Sequence, residues 1–136
     1  MGTSGAGLDA VSSGVTFDTG ALLAFESGRR RLAVLVEEAS ASGAPIAIPA
    51  GVLAQAWRGG PRQARLARLL RASNTEVVVL NQRAALKVGV RCAASGASDV
   101  VDVSVVVCAR ERGQPVVTSD PGDLHAIDPS LKLIPL

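Results

Sequence analysis

The sequence predicts an α/β domain built on a mostly parallel central sheet with helices on both faces, and three observations predict it. Short β-branched runs alternate with longer helical stretches, the order that makes βαβ units with right-handed crossovers. The helical stretches stop at Gly28, Gly43, Gly96 and Gly113, a residue type that ends helices in the left-handed conformation. Three separated segments also end or begin in Asp, at Asp18, at Asp99 with Asp102, and at Asp120 with Asp123. In an open sheet of this class the carboxyl ends of the strands form the ligand crevice, so an Asp there faces the place where a phosphate or metal binds.

Taken in order, Val15 to Phe17 is a strand, Thr19 to Ser27 a short helix closed by Gly28, and Arg30 to Ser42 a second helix closed by Gly43. Pro45 to Pro49 is a strand. Pro49 suits the first turn of a helix from Ala50 to Arg58, and Gly59-Gly60-Pro61 breaks it before an Arg-rich helix from Arg62 to Ala72. Glu76 to Leu80 is a β-branched strand, and Asn81 caps a helix running to Ser95. The stretch from Asp99 to Arg112 is ambiguous, because its Val content favours a strand locally. Its length, a capping Ser98, the basic residues Arg110 and Arg112 in its last turn and the stop at Gly113 favour a buried helix instead. Pro115 to Thr118 is then a strand, Asp120 to Ile127 a short turn of helix, and Leu131 to Ile134 an edge strand.

The 136 residues, 48% of them apolar, suffice for one core, and the expected organisation is a flexible Gly- and Ser-rich leader over residues 1–14 followed by one domain over 15–136. Fourteen Lys and Arg against twelve Asp and Glu leave a formal charge of +2, too weak a field to bind nucleic acid by charge alone. Cys92 and Cys108 lack a CxxC spacing and are expected as reduced thiols in helical, apolar surroundings. Residues 1–14 show no basic segment followed by an apolar block, and uncharged, largely apolar runs such as Val103 to Ala109 are far short of the ~20 residues that span a bilayer. A soluble, cytoplasmic protein without membrane partners is expected.

Asp18, Asp99, Asp102, Asp120 and Asp123 are therefore brought to one edge of the sheet. Carboxylates so gathered repel one another and raise their own pKa values unless a cation sits among them, and hard oxygen ligands select Mg²⁺ or Mn²⁺. For any single Asp, helix capping is the stronger reading. For the set, a metal site is favoured. His125 is the lone histidine and no CxxC pairs with it, which leaves a zinc site without support and a place on a helix surface as the default. GxSxG and GxxxxGK[ST] patterns are absent, as are base-stacking platforms in a chain with no Tyr, two Phe and one Trp; Trp57 is expected in the core or at an interface. Arg58, Arg62 and Arg65 recur at helical spacing and either line an approach for RNA phosphate to the acidic edge or form a solvated face.

The stretches Val15-Thr16-Phe17-Asp18-Thr19-Gly20-Ala21-Leu22-Leu23-Ala24, Ile48 to Arg58, Ser98-Asp99-Val100-Val101-Asp102-Val103 and Val117-Thr118-Ser119-Asp120-Pro121-Gly122-Asp123-Leu124, in this order, resemble a PIN-domain protein of the VapC-type toxin group. The likeness runs from Val15 to the C-terminus. It implies a three-layer α/β/α sandwich and a quartet of acids holding Mg²⁺, with Mn²⁺ as substitute, that cleaves RNA by water attack on a phosphodiester. Carried over residue by residue, the first acid is Asp18, the third Asp102 with Asp99 adjacent, and the fourth Asp120 with Asp123 accessory. Asp18, Asp102 and Asp120 are then the catalytic set, and Thr19 and Ser119 support them. The family's second acid, usually Glu, falls on Gln55, whose amide oxygen can accept from a metal-bound water but carries no charge. That departure leaves open a weakened nuclease or a catalytically silent module that acts by binding. The resemblance further implies a homodimer, and a small antitoxin whose C-terminal segment lies across the acidic crevice.

Overall fold

The computed structural model describes residues 13–136, so residues 1–12 of the expected leader lie outside the described residues. Strand β1 (Val15–Phe17) is followed by helices α1 (Thr19–Glu26) and α2 (Arg30–Ser42), then β2 (Ile46–Pro49) and α3 (Ala50–Ala56). A 3₁₀ turn (Pro61–Gln63) leads into α4 (Ala64–Arg71), β3 (Thr75–Val78), α5 (Gln82–Ser95) and α6 (Val100–Arg112). Strand β4 (Val116–Thr118), α7 (Pro121–Ile127) and β5 (Leu133–Pro135) complete the described chain.

The five strands form one sheet in the order β3-β2-β1-β4-β5, and every pair is parallel. Chain order therefore moves outward from β1 to β3 and then jumps back across β1 to β4. With right-handed crossovers this reversal sends the two sets of connecting helices to opposite faces. Accordingly α1 packs with α2, α3 and α4, while α6 packs with α5 and α7 and lies across β1, β2 and β4. The result is the three-layer α/β/α sandwich. The reversal also opens the topological switch point between the carboxyl ends of β1 and β4, where open α/β sheets place their ligands.

Burial on both faces explains why the inner strands are apolar throughout. Val15, Phe17, Ile46, Ile48, Val116 and Val117 are all fully buried. The Val-rich stretch is a helix, as its caps indicated, and it buries Val103, Val105, Val106, Cys108 and Ala109 against the sheet and its neighbours. Cys92 and Cys108 are free thiols, Cys108 buried and Cys92 partly so. Among the described residues no single helix is long and apolar enough to cross a membrane.

Several boundaries differ from expectation for reasons of pairing and capping. Strand β3 is fixed by its partner, with Ile46 opposite Thr75 and Pro49 opposite Val78, so the pairing ends before Val79 and Leu80. Leu131 donates its N–H to Asp128 O in a turn, and β5 starts later because Val116 pairs with Leu133. Helix α3 ends at Ala56 because buried Gln63 takes over the next backbone groups, its Oε1 accepting from the N–H groups of Arg58 and Gly59 at 2.8 and 2.9 Å. Trp57 consequently falls just past the helix and is 39% exposed, not in the core. The cap of α6 is Asp99 rather than Ser98, since its carboxylate reaches two backbone N–H groups at once.

At the opposite end of α6, buried Asp128 accepts from Arg110 Nη1 at 2.6 Å and from the Ser130 hydroxyl and N–H at 2.7 and 3.0 Å. Burial works against its charge, but the Ser130 hydroxyl, the Arg110 guanidinium and the Ser130 N–H outweigh it and hold the carboxyl down at about 2. A lowered carboxylate stabilises the fold above its unfolded value and loses that contribution as pH falls through the folded value. Asp128→Ala, which removes these bonds, should cost ~2 kcal/mol near neutrality. In thermal melts the gap between parent and variant should close as pH falls from 3.8 towards about 2. A gap that stays constant over that range would mean the charge plays no part.

Candidate active site

Asp18 leaves the end of β1 and caps α1, its Oδ1 accepting from Ala21 N–H at 2.8 Å, and it is only 6% exposed. Pairing of Phe17 with Val117 sets Thr118 alongside it. Burial raises its pKa above the ordinary carboxylate value, the Thr118 hydroxyl and Ala21 N–H pull it back, and repulsion from Asp120 raises it again. Thr118 Oγ1 also accepts from Asp120 N–H at 2.8 Å, so one buried hydroxyl ties the two strand ends together.

The second pair comes from α6. Asp99 Oδ1 accepts from Val101 and Asp102 N–H at 3.0 and 3.1 Å, which commits that oxygen to capping. Asp102, in the first helical turn, is pushed up to about 6, by burial first and then by Asp99, Asp123, Asp18 and Asp120. One carboxyl thus feels all four others, and the junctions read from the sequence do share one edge. Asp120 occupies the cap position of α7 yet makes no side-chain cap bond, and it and Asp123 are exposed. Capping therefore accounts for Asp18 and Asp99 but leaves Asp102, Asp120 and Asp123 unexplained.

Close approaches hold this edge together. A Cβ on Gly20 would lie 2.0 Å from Ser119 Oγ and 3.0 Å from Ser119 Cβ, so the first turn of α1 sits directly on the loop that carries Asp120. A Cβ on Gly51 would stand 3.3 Å from Val101 Cγ2, which brings α3 against the first turn of α6. Between them the Thr19 hydroxyl donates to Gln55 Oε1 at 2.5 Å.

Among the described residues no group of three or more acid, His or Cys side chains stands ready to hold a metal ion. The donor set nonetheless fits a hard divalent cation, because every donor is an oxygen and the charge on Asp102 is left uncompensated. Mg²⁺ keeps several waters and commonly takes one or two carboxylates from a protein, so a closed cage is not required.

The family model for the PIN domain matches residues 15–128. The chain belongs to the PIN domain family. No curated protein sequence matches it significantly. The match covers every acid at the crevice, and the PIN domain is a nuclease-type fold.

On this PIN domain Arg58 and Arg65 have partners within the fold. Arg58 Nη1 donates to the carbonyls of Ala54 and Trp57 at 3.1 and 2.7 Å, closing the end of α3. Arg65 Nη1 donates to Glu26 O at 3.3 Å, and its guanidinium lies over Gly28. Arg62 is exposed. His125 is on the surface of α7, with Nε2 at 3.3 Å from Leu131 O. Sequence reasoning missed Thr118, Gly20 and Gln63. A Ser/Thr at the end of the strand beside Asp18 was a visible cue for the first; Gly20 depends on contact with distant Ser119, and Gln63 on the fold of the loop that turns it back to Ala56, Arg58 and Gly59.

Proposed function

We propose that the chain is a divalent-metal-dependent endoribonuclease and the toxin of a toxin–antitoxin pair, hydrolysing RNA phosphodiesters. The observation that carries this reading is the convergence of five carboxylates on the β1/β4 switch point, with Asp102 pushed up to about 6 by burial and by the other four. Asp18, Asp102 and Asp120 are the principal metal ligands in this reading, with Asp99 and Asp123 accessory. Bound there, Mg²⁺ or Mn²⁺ supplies a polarised phosphate oxygen and a more acidic water. Asp18 is held at the end of β1 by the Ala21 N–H and the Thr118 hydroxyl, which orient its carboxylate for that role. Asp120, free of capping duty, orients the attacking water, and Ser119 and Thr19 hold the flanking turns. Arg58, Arg62 and Arg65 offset the negative field along the approach of RNA, through long-range charge in the case of the two that also bond carbonyls.

In the same reading a homodimer forms, and an antitoxin segment covers the crevice with an Arg against the carboxylates, a pairing that bidentate geometry favours. A structured RNA incubated with the protein should be cut with Mg²⁺ or Mn²⁺, and a chelator or Asp18→Ala should lower the rate about 100-fold or more. Cutting that survives both would overturn the metal mechanism. Gln55 in place of an acid favours a second reading, a PIN module that binds RNA or protein without cutting. Mn²⁺ titration by calorimetry separates the two: absence of binding at millimolar metal selects the silent module.

A further inference from the structure

Gln55 does more than fill the place of a missing acid. It lies four residues on from Gly51, on the same face of α3, where a Cβ on Gly51 would stand 3.3 Å from Val101 Cγ2, beside Asp102. Its carbonyl oxygen is already taken by the hydroxyl of Thr19, the neighbour of Asp18, at 2.5 Å. That bond fixes which way the amide points. The side chain is exposed, and among the described residues Nε2 makes no hydrogen bond, to an acid or to anything else. An amide nitrogen carries two N–H donors and no acceptor. At an edge whose charged groups are carboxylates, which only accept, Gln55 therefore presents a neutral donor.

We infer that Gln55 contacts the substrate directly, donating from Nε2 to a non-bridging oxygen of an RNA phosphodiester, and that Thr19 sets the amide for it. This rests on the ribonuclease reading above. A phosphate entering the crevice meets a repulsive field, and a donor that adds no positive charge attracts it without competing for the cation or pairing with the acids. A Glu at this position turns the donor into a further negative acceptor. The residue that departs from the family's pattern is thus a substrate-binding group, and its loss affects RNA affinity before it affects metal.

Anisotropy with labelled single-stranded RNA oligomers of one base each, in chelator at low ionic strength, reads this without turnover. Gln55→Met should weaken binding about five-fold, and by the same factor for every base. Gln55→Glu should weaken it about ten-fold or more, and Thr19→Val about two-fold, as the amide loses its orientation. Melting temperatures of Gln55→Met and Thr19→Val should fall by the same small amount, because each loses the one exposed Thr19–Gln55 bond and nothing else. Parent-like affinity in Gln55→Met, or a loss confined to one base, overturns the phosphate contact. If the parent cuts RNA with Mn²⁺ while Gln55→Met binds like the parent, this inference alone fails. If the parent neither binds RNA in chelator nor cuts it with Mn²⁺, the ribonuclease reading fails and this one with it.

Discussion

Asp102→Asn is expected to remove metal-dependent RNA cleavage and, in chelator, to make the protein more stable than the parent. The two effects come from one cause. Burial and four neighbouring carboxylates push Asp102 up from 3.8 to about 6, so its ionised form is disfavoured in the folded chain. For a raised carboxylate the sign is opposite to that of Asp128: the folded state carries a cost above the folded pKa, and that cost disappears as pH falls towards the unfolded value. Because the side chain is partly exposed, solvent screening reduces what the shift alone suggests, and ~1 kcal/mol is the expected gain from neutralising it near neutrality. For a domain of this size that is a rise of roughly 3–5 °C in melting temperature. The gap should close as pH is lowered from about 6 to 3.8. Mn²⁺ should raise the melting temperature of the parent and raise that of Asp102→Asn much less, since the variant has lost the charge a cation would compensate. Cleavage should fall about 100-fold or more. A variant that melts with the parent at every pH would show that Asp102 is not under repulsion, and one that still cuts would remove it from the catalytic set.

Of themselves, these two groups, Asp128 and Asp102, favour the metal-free fold most on the acid side of neutrality. Below that range Asp128 gives up its bonds to Arg110 and Ser130, and above it Asp102 ionises among its neighbours. Divalent metal should flatten the upper limb and leave the lower one untouched, because Asp128 is at the far end of α6 from the acids.

The acids were legible in the sequence because their positions follow from local rules. A β-branched run must end, a helix must be capped, and the residue at the join faces the carboxyl edge of the sheet. The same rules stop one residue short at Ser98 and Asp99, both capping types; only the three-dimensional turn shows the carboxylate reaching two N–H groups. Trp57, expected in the core or at an interface, is kept out of the core because Gln63, six residues on, ends the helix just before it. Gln63 itself was invisible. It joins Ala56, Arg58, Gly59 and Glu26, and nothing local marks a glutamine as a buried latch. Strand ends were shifted for a related reason, since β3 is only as long as β2 permits. What the sequence withheld was the geometry of particular turns and the contact between strands and segments that fold onto one another.

Gly20 is where that gap gives the opposite expectation. It lies in the first turn of α1 with an ordinary negative φ, so helix propensity alone says that Gly20→Ala should stabilise the protein by ~1 kcal/mol. The structure says otherwise. The new Cβ would meet Ser119 Oγ at 2.0 Å and Ser119 Cβ at 3.0 Å. Rotation of the hydroxyl relieves the first contact, but the second involves an atom that no side-chain rotation moves, and the β4–α7 loop must retreat by a few tenths of an ångström. Such overpacking typically costs ~1–3 kcal/mol, which exceeds the propensity gain, so the melting temperature should fall. A functional loss should accompany the loss of stability. Asp18 and Asp120 sit on the two sides of this contact, and since a site displaced by ~1 Å can lose about 100-fold in rate, a shift of a few tenths of an ångström should cost several-fold. Removing the obstruction should reverse both effects. In Gly20→Ala with Ser119→Gly the added methyl finds the space of the deleted side chain, so the double variant should melt higher and cut faster than Gly20→Ala alone, with a favourable coupling of ~1 kcal/mol or more in a double-mutant cycle. Additive behaviour in that cycle, or a Gly20→Ala protein more stable than its parent, would mean that the first turn of α1 does not rest on the Asp120 loop, and that the two acids are not held together in this way.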